Sequence, residues 1–218
     1  YQLVGSKSTR SLEDLKGKVV GVTGAGAFSD FATRTFLRRK GIDPDKDVML
    51  RAIGGSNLRV GALEKGLVAA APFAPEDTVR LLRMGFPMIA NFSDTLSIPQ
   101  TLLTARNDFL DKQPEISKRF LKALVQGIQF AKSNKIDAIK AGFEAKLQGD
   151  PEIINQAYDL FAPGFSGDLS VNLPGLQFML DEDKRNGVID AKFTVERAVN
   201  DRVLKLSQQE LRSEGRLK

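Results

Sequence analysis

Along the N-terminal half of the chain, short β-branched apolar runs alternate with longer stretches whose apolar residues recur at helical spacing. Lys18-Val19-Val20-Gly21-Val22 is such a run, ended by Gly24 and Gly26, and predicts a buried strand feeding a turn. Phe28, Phe31, Ala32, Phe36 and Leu37 then predict a helix, with Ser29 or Asp30 placed to cap it and Gly41 to stop it. The pattern repeats with a strand over 48–53, a turn at Gly54-Gly55-Ser56-Asn57 that carries a capping residue, and a short helix over 58–65. A third strand over 67–71 runs into Pro72-Phe73-Ala74-Pro75, followed by a helix over 76–83 and a strand over 86–91. Strands bridged by helices predict parallel pairing with right-handed crossovers, hence an α/β sheet covered on both faces.

From Pro114 the pattern becomes helical. Pro114 suits a first helical position, and Ile116, Phe120, Leu121, Leu124, Val125 and Ile128 form one apolar stripe. Asn134 is placed to cap a second helix carrying Ile136, Ile139 and Phe143, and Asp150-Pro151 opens a third with Ile153, Ile154, Ala157 and Phe161. A fourth covers 176–185. The segment 207–218 is polar and predicts a solvated or frayed tail.

Composition narrows the chemistry more than the architecture. The 218 residues contain no Cys, His or Trp, which excludes thiol nucleophiles, disulfides, zinc sites built on Cys or His, and triads with an imidazole base. Acid–base work falls to Asp, Glu, Lys or Tyr. The net charge of +5 is spread along the chain rather than gathered with aromatics on one face, which argues against a nucleic-acid partner. No apolar run reaches the length of a membrane span, and Tyr1-Gln2-Leu3-Val4 is no signal peptide, so any export leader lies outside this sequence.

Two glycine turns carry the candidate chemistry. Gly24-Ala25-Gly26-Ala27-Phe28-Ser29 sits between a strand and a helix as a dinucleotide fingerprint does, but the third glycine is missing and Ser29 stands in its place, so no NAD or FAD is implied. What remains is a helix N-terminus whose backbone N–H groups suit an anion or polar ligand; a tight turn without a ligand is the plain alternative. Gly54-Gly55-Ser56-Asn57 makes a second such terminus, and in an open parallel sheet both fall at the carboxyl ends of strands, where they can face one crevice. Other motifs fail. Gly5-Ser6-Lys7-Ser8-Thr9 lacks the upstream glycine of a phosphate loop. Asp43, Asp45 and Asp47 lack the glycine and glutamate of a calcium loop, and 164–167 has neither the spacing nor the base of a nucleophile elbow. Asp181-Glu182-Asp183 is read as a helix face in water. No cofactor and no metal are expected.

The ordered series 12–22, then Phe31 through Gly41-Ile42-Asp43-Pro44, then Arg59-Val60-Gly61-Ala62-Leu63-Glu64-Lys65-Gly66, then 107–114 and 120–124, resembles substrate-binding proteins of ABC transporters. The nearest branch includes sulfonate, taurine, nitrate and pyrimidine-precursor binders. The resemblance covers most of 12–187. It implies a type II periplasmic binding protein fold: one complete βα lobe, 6–105 with its crossover, and a helix-rich C-terminal portion, 106–218, returning to the other lobe, whose N-terminal part lies upstream of this sequence. By position it implies ligand contacts at Gly24, Ala25, Gly26 and Ser29, at Gly55, Ser56 and Asn57, and at Pro72 and Phe73. No Arg within these loops offers a bidentate clamp, so ligand charge stays open, with Arg59 or an upstream residue as the basic anchor. The implied function is capture of a small organic molecule or anion, a sulfonate, carboxylate or heterocycle, for delivery to a membrane permease. The implied protein is a periplasmic or lipid-anchored monomer that does no chemistry. Alternatives are a biosynthetic enzyme on the same fold, against which the missing His of the pyrimidine-forming branch counts, and a regulator's effector-sensing domain, against which the helical C-terminal half counts.

Overall fold

The structure is a computed structural model and describes residues 1–217. It divides into two compact units. The first comprises Tyr1–Leu96 and Gln148–Phe161; the second comprises Ser97–Leu147 and the chain from Ala162 onward.

The first unit is built on a five-stranded sheet of order β3-β2-β4-β1-β5. Its strands are β1 (Gln2–Gly5), β2 (Val19–Val22), β3 (Met49–Ala52), β4 (Ala70–Phe73) and β5 (Met88–Asn91). Strand β2 pairs in parallel with β3 and β4, as the alternation of strand and helix requires. The sheet is nevertheless mixed, which corrects the all-parallel expectation. Strand β1 inserts between β4 and β5 and runs antiparallel to both, pairing Leu3 with Pro72 and Leu3 with Ala90. Its four residues are too few to show a period, and only their burial on both sides marks them as a central strand. The third strand also starts later than expected, so Pro72 and Phe73 lie inside β4 rather than beyond its end. Pro72 can sit there because the ladder from β4 to β2 is a single bridge, Val20 with Ala70, and Pro72 lies past it.

Helices α1 (Phe28–Arg39), α2 (Ser56–Glu64) and α3 (Pro75–Arg83) follow β2, β3 and β4. Leu3, Leu15, Phe36, Leu37, Leu63, Phe73 and Leu81 are at most 1% exposed, and the Phe36 ring stacks on Phe92 at 4.6 Å. Helix α7 (Pro151–Phe161) belongs to this unit by packing on α3.

The opening of α7 follows the sequence expectation in detail. The Asp150 Oδ1 accepts from the N–H groups of Glu152 and Ile153 at 2.8 and 3.0 Å. Those bonds, that from Ile153 foremost, hold its carboxyl below the usual aspartate range, with Arg83 and Arg80 acting the same way. Because the folded value is lowered, the stabilisation is complete above the unfolded value and is lost as pH falls through the folded one. Asp150→Asn keeps a capping oxygen but cannot titrate. Its melting temperature is therefore expected to fall less than that of the native chain between about pH 5 and pH 2. Parallel thermal melts across that range check this, and coincident slopes would show that the carboxylate does not cap α7.

The second unit is helical: α4 (Asn107–Lys112), α5 (Pro114–Ser133), α6 (Lys135–Glu144), α8 (Leu173–Arg185), α9 (Val195–Ala198) and α10 (Arg202–Ser213). Pro114 opens α5 as expected. The α5 stripe is only partly buried: Val125 is fully enclosed, whereas Ile116 and Phe120 are exposed. Asn134 precedes α6 without a side-chain capping bond, because its Nδ2 turns back to the carbonyl of Phe130 and the hydroxyl of Ser133. The polar C-terminal segment corrects the expectation of a frayed tail. Val203, Ser207 and Leu211 recur every four residues on one face of α10 and are buried, with Leu211 against Val125 and Leu217. Glu210 accepts from Lys118 and Lys122 of α5 at 2.7 and 3.2 Å, so the polar residues ring a buried seam. Lys218, the end of that segment, lies outside the described residues.

Candidate functional site

Strands β2, β3 and β4 end side by side, and each end passes directly into a loop that opens a helix. This is where the dipoles and unbonded N–H groups of α1 and α2 are directed. Neither helix is capped by the side chain expected. The cap positions are Ala27 and Gly55, which make no side-chain capping bond. Ser29 and Asp30 lie in the first turn of α1 and reach backwards instead. Ser29 Oγ accepts from the N–H of Thr23 at 2.9 Å, and Asp30 Oδ2 accepts from the N–H of Gly26 at 2.9 Å. Asp30 is itself gripped by Arg34 Nε at 2.9 Å. The first loop is thus fixed by its own helix.

The predicted site residues separate into two groups. Ala25, Gly26, Gly55 and Asn57 are exposed and Gly24 and Ser56 half-buried, so these loop residues are open to a ligand. Ser29, Pro72 and Phe73 are buried, and of the three Ser29 braces the first loop by accepting from Thr23. Gly26 and Gly54 have φ of +73° and +108°, in the left-handed region where a side chain is strained. The Ser56 hydroxyl donates to Asp77 in the first turn of α3, which ties the second loop to the third.

Arg59 joins all three strand ends. It shares the inward face of α2 with Ala62 and Leu63, and only 4% of it is exposed. Its Nη1 donates to Thr23 Oγ1 at 2.6 Å, after β2, and to the carbonyl of Gly54 at 2.7 Å, after β3. Its guanidinium lies 5.5 Å from the centre of the Phe73 ring, at the end of β4. Burial pulls the guanidinium below the usual arginine range, and the nearby Asp77 carboxylate opposes that only in part. The sequence reading named Arg59 as one possible basic anchor, but not Thr23 or Asp77 beside it. The available signal was an arginine at i with Ala and Leu at i+3 and i+4, a cation on the apolar face of a short helix.

Among the described residues no group of three or more His, Cys, Asp or Glu side chains is arranged to hold a metal ion. Asp45 of the acidic loop pairs with Arg34 and Arg38, and Asp47 accepts from the N–H of Asp43, so that loop is a solvated turn. No helix among the described residues is long and apolar enough to cross a membrane.

Solved periplasmic binding proteins superpose on this chain. The chain assigned as the periplasmic sulfonate-binding protein SsuA of Methylobacillus flagellatus KT superposes with a TM-score of 0.75 at 17% identity, over 100% of this chain and 68% of that one. The periplasmic aliphatic sulphonate binding protein SsuA of Escherichia coli superposes at 0.65 and 16% identity, over 86% of this chain and 61% of that one. The desulfurization enzyme DszB shares the fold at 0.66 and 13% identity, over 96% of this chain and 76% of that one. The fold is therefore α/β of the periplasmic binding protein type. Residues 2–143 match the NMT1-like family, and the chain belongs to that family. A sequence search of curated proteins gives no match.

Proposed function

We propose that this chain is the solute-binding part of an ABC transporter, which captures a small organic molecule at the ends of β2, β3 and β4 and passes it to a membrane permease without changing it. Its family and its likeness in fold to periplasmic sulfonate-binding proteins support that reading, as they support a place outside the cytoplasm. The observation that carries it is the convergence of three strand ends on one arginine, with the exposed backbone of Ala25, Gly26 and Gly55 beside two helix starts that no side chain caps. In this reading 6–105 form one lobe of a two-lobed binder and 106–218 the chain returning to the other. The loop residues touch the ligand, and Ser29 braces the first loop.

A second reading, an enzyme on the same fold, is favoured by the likeness to DszB. With no Cys or His in the chain, its chemistry would rest on Asp, Glu, Lys or Tyr. Thermal melts against sulfonates, carboxylates, nitrate, amino acids and pyrimidines separate the two when each active solute is afterwards recovered and analysed. A bound solute at 100 times its Kd should add about 2.7 kcal/mol of stability. The binder reading expects at least one such shift and the solute recovered intact. A solute converted to product, or no shift with any of them, would overturn it.

A further inference from the structure

At the opposite end of the sheet lies a cavity that the proposed function does not use. Strands β2, β3 and β4 begin there, about 13 Å from the loops at their far ends, and β1, running antiparallel, delivers Ser6 and Lys7 to it. Its volume is about 750 Å³, within the roughly 300–1,000 Å³ of small-molecule sites. The core residues Val68 and Phe86 line it, together with Met49, Leu67 and Met84, which are 45, 66 and 46% exposed. Helices α2 and α3 finish beside it in the same kind of turn. After Gly66 and Gly85, both at positive φ, the N–H of Leu67 donates to the carbonyl of Ala62 at 2.9 Å and that of Phe86 to the carbonyl of Leu81 at 3.0 Å. A residue in that place commonly packs back on its own helix. Phe86 joins Leu81 in the core, whereas Leu67 stays exposed at the cavity.

The polar side of the cavity is cationic. Lys7 and Lys18 line it, and neither forms an ion pair among the described residues: the Lys7 ammonium lies 5.3 Å from the centre of the Phe86 ring, and Lys18 acts on Asp14 only through space. Glu64 is the one carboxylate that lines it. Ser6 draws the chain into a tight turn, its hydroxyl bonding those of Ser8 and Thr9 at 3.2 and 2.9 Å and its carbonyl accepting from the N–H of Thr9. Within that turn the N–H groups of Lys7 and Ser8 donate to no acceptor among the described residues. The segment is no nucleotide loop, since only a single 3-10 turn, Glu13–Leu15, follows it. Yet successive free N–H groups, a hydroxyl and lysine point charges are the donors that hold a phosphate, whose three acceptor oxygens and nearly double charge match them. We infer that this cavity is a second binding site, for a monomeric amphiphile with a phosphate head. Lys7, Lys18 and the 6–9 turn take the head, and Met49, Leu67 and Met84 take the apolar body. The inference is independent of the solute-binding reading.

Calorimetric titration of the chain with octyl phosphate, kept monomeric, tests this against octanol and inorganic phosphate. Octyl phosphate should bind at least about 10-fold more tightly than either, since one lacks the head and the other the apolar body. Leu67→Ser and Lys7→Glu should each weaken it about 10-fold, and Lys7→Arg should restore most of the affinity. Both positions are exposed, so melting temperatures should stay near native. Octyl phosphate that does not bind, that binds no better than octanol or inorganic phosphate, or that binds folded Leu67→Ser and Lys7→Glu as the native chain does, would overturn the inference. So would binding to phosphatidylcholine vesicles containing phosphatidic acid without binding of the monomer, which would make this end a membrane-facing surface rather than a pocket.

Discussion

Replacing Phe73 by Ala is expected to destabilise the sheet unit by about 3–5 kcal/mol, roughly 10 °C in melting temperature. Phe73 is fully buried in β4, in one cluster with Val4, Leu63, Val68, Leu81 and Phe86, so its loss opens a cavity bounded by a central strand and two helices. Such a wall relaxes little, because the backbone of β4 is held by β1 along its whole length. The same ring carries the Arg59 guanidinium on its face. Phe73→Leu separates the two roles, since it restores most of the volume and should cost less than about 1.5 kcal/mol, but it removes the aromatic face. Solute affinity should fall in the Leu variant by more than its small stability loss explains. Denaturant titrations of both variants check the first claim, and an Ala variant within about 0.5 kcal/mol of native would show that the cluster is not the core described.

The second large effect is expected at the far end of the chain. Leu211→Ala should cost the helical unit about 2–5 kcal/mol, because Leu211 is fully buried between α5 and α10 with Val125 and Leu217. A solvated tail would show no change. Its neighbours make the contrast internal: Arg212 and Ser213 are exposed, and alanine at either should stay within about 0.5 kcal/mol of native. Unfolding followed by helical circular dichroism distinguishes the outcomes, and equal effects at 211 and 213 would return the segment to the status of a frayed end.

These two positions divide along the line between what the sequence displays and what it conceals. The β2–α1, β3–α2 and β4–α3 units were legible because each apolar run, glycine turn and helical repeat is a local signal, read within about a dozen residues. The opening of α7 at Asp150-Pro151, the stop at Gly41 and the opening of α5 at Pro114 were legible for the same reason. Strand β1 was not, since four residues show no period and its place between β4 and β5 is fixed only by partners more than sixty positions away. Helix α10 was concealed by its composition: its buried face is a leucine, a valine, a serine and a glutamine, the last satisfied by the Asp168 carbonyl at 2.8 Å. A polar residue that finds a partner in the fold looks like a surface residue in the sequence. Ile116, Phe120 and Ile136 err in the opposite sense, apolar at helical spacing yet exposed.

The candidate site follows the same rule. By itself the sequence determined that the chain alternates strand and helix, that two glycine turns open helices at strand ends, that Cys and His chemistry is excluded, and which family its ordered segments resemble. Only the tertiary structure decided that Ser29 and Asp30 brace their own loop, that Phe73 is a wall, and that Arg59 stands where three strand ends meet. The physical reason is range. Turns and caps are made by neighbours in the chain, whereas a buried cation is defined by what surrounds it, and the surroundings of Arg59 come from Thr23, Gly54 and Phe73 at the ends of three different strands.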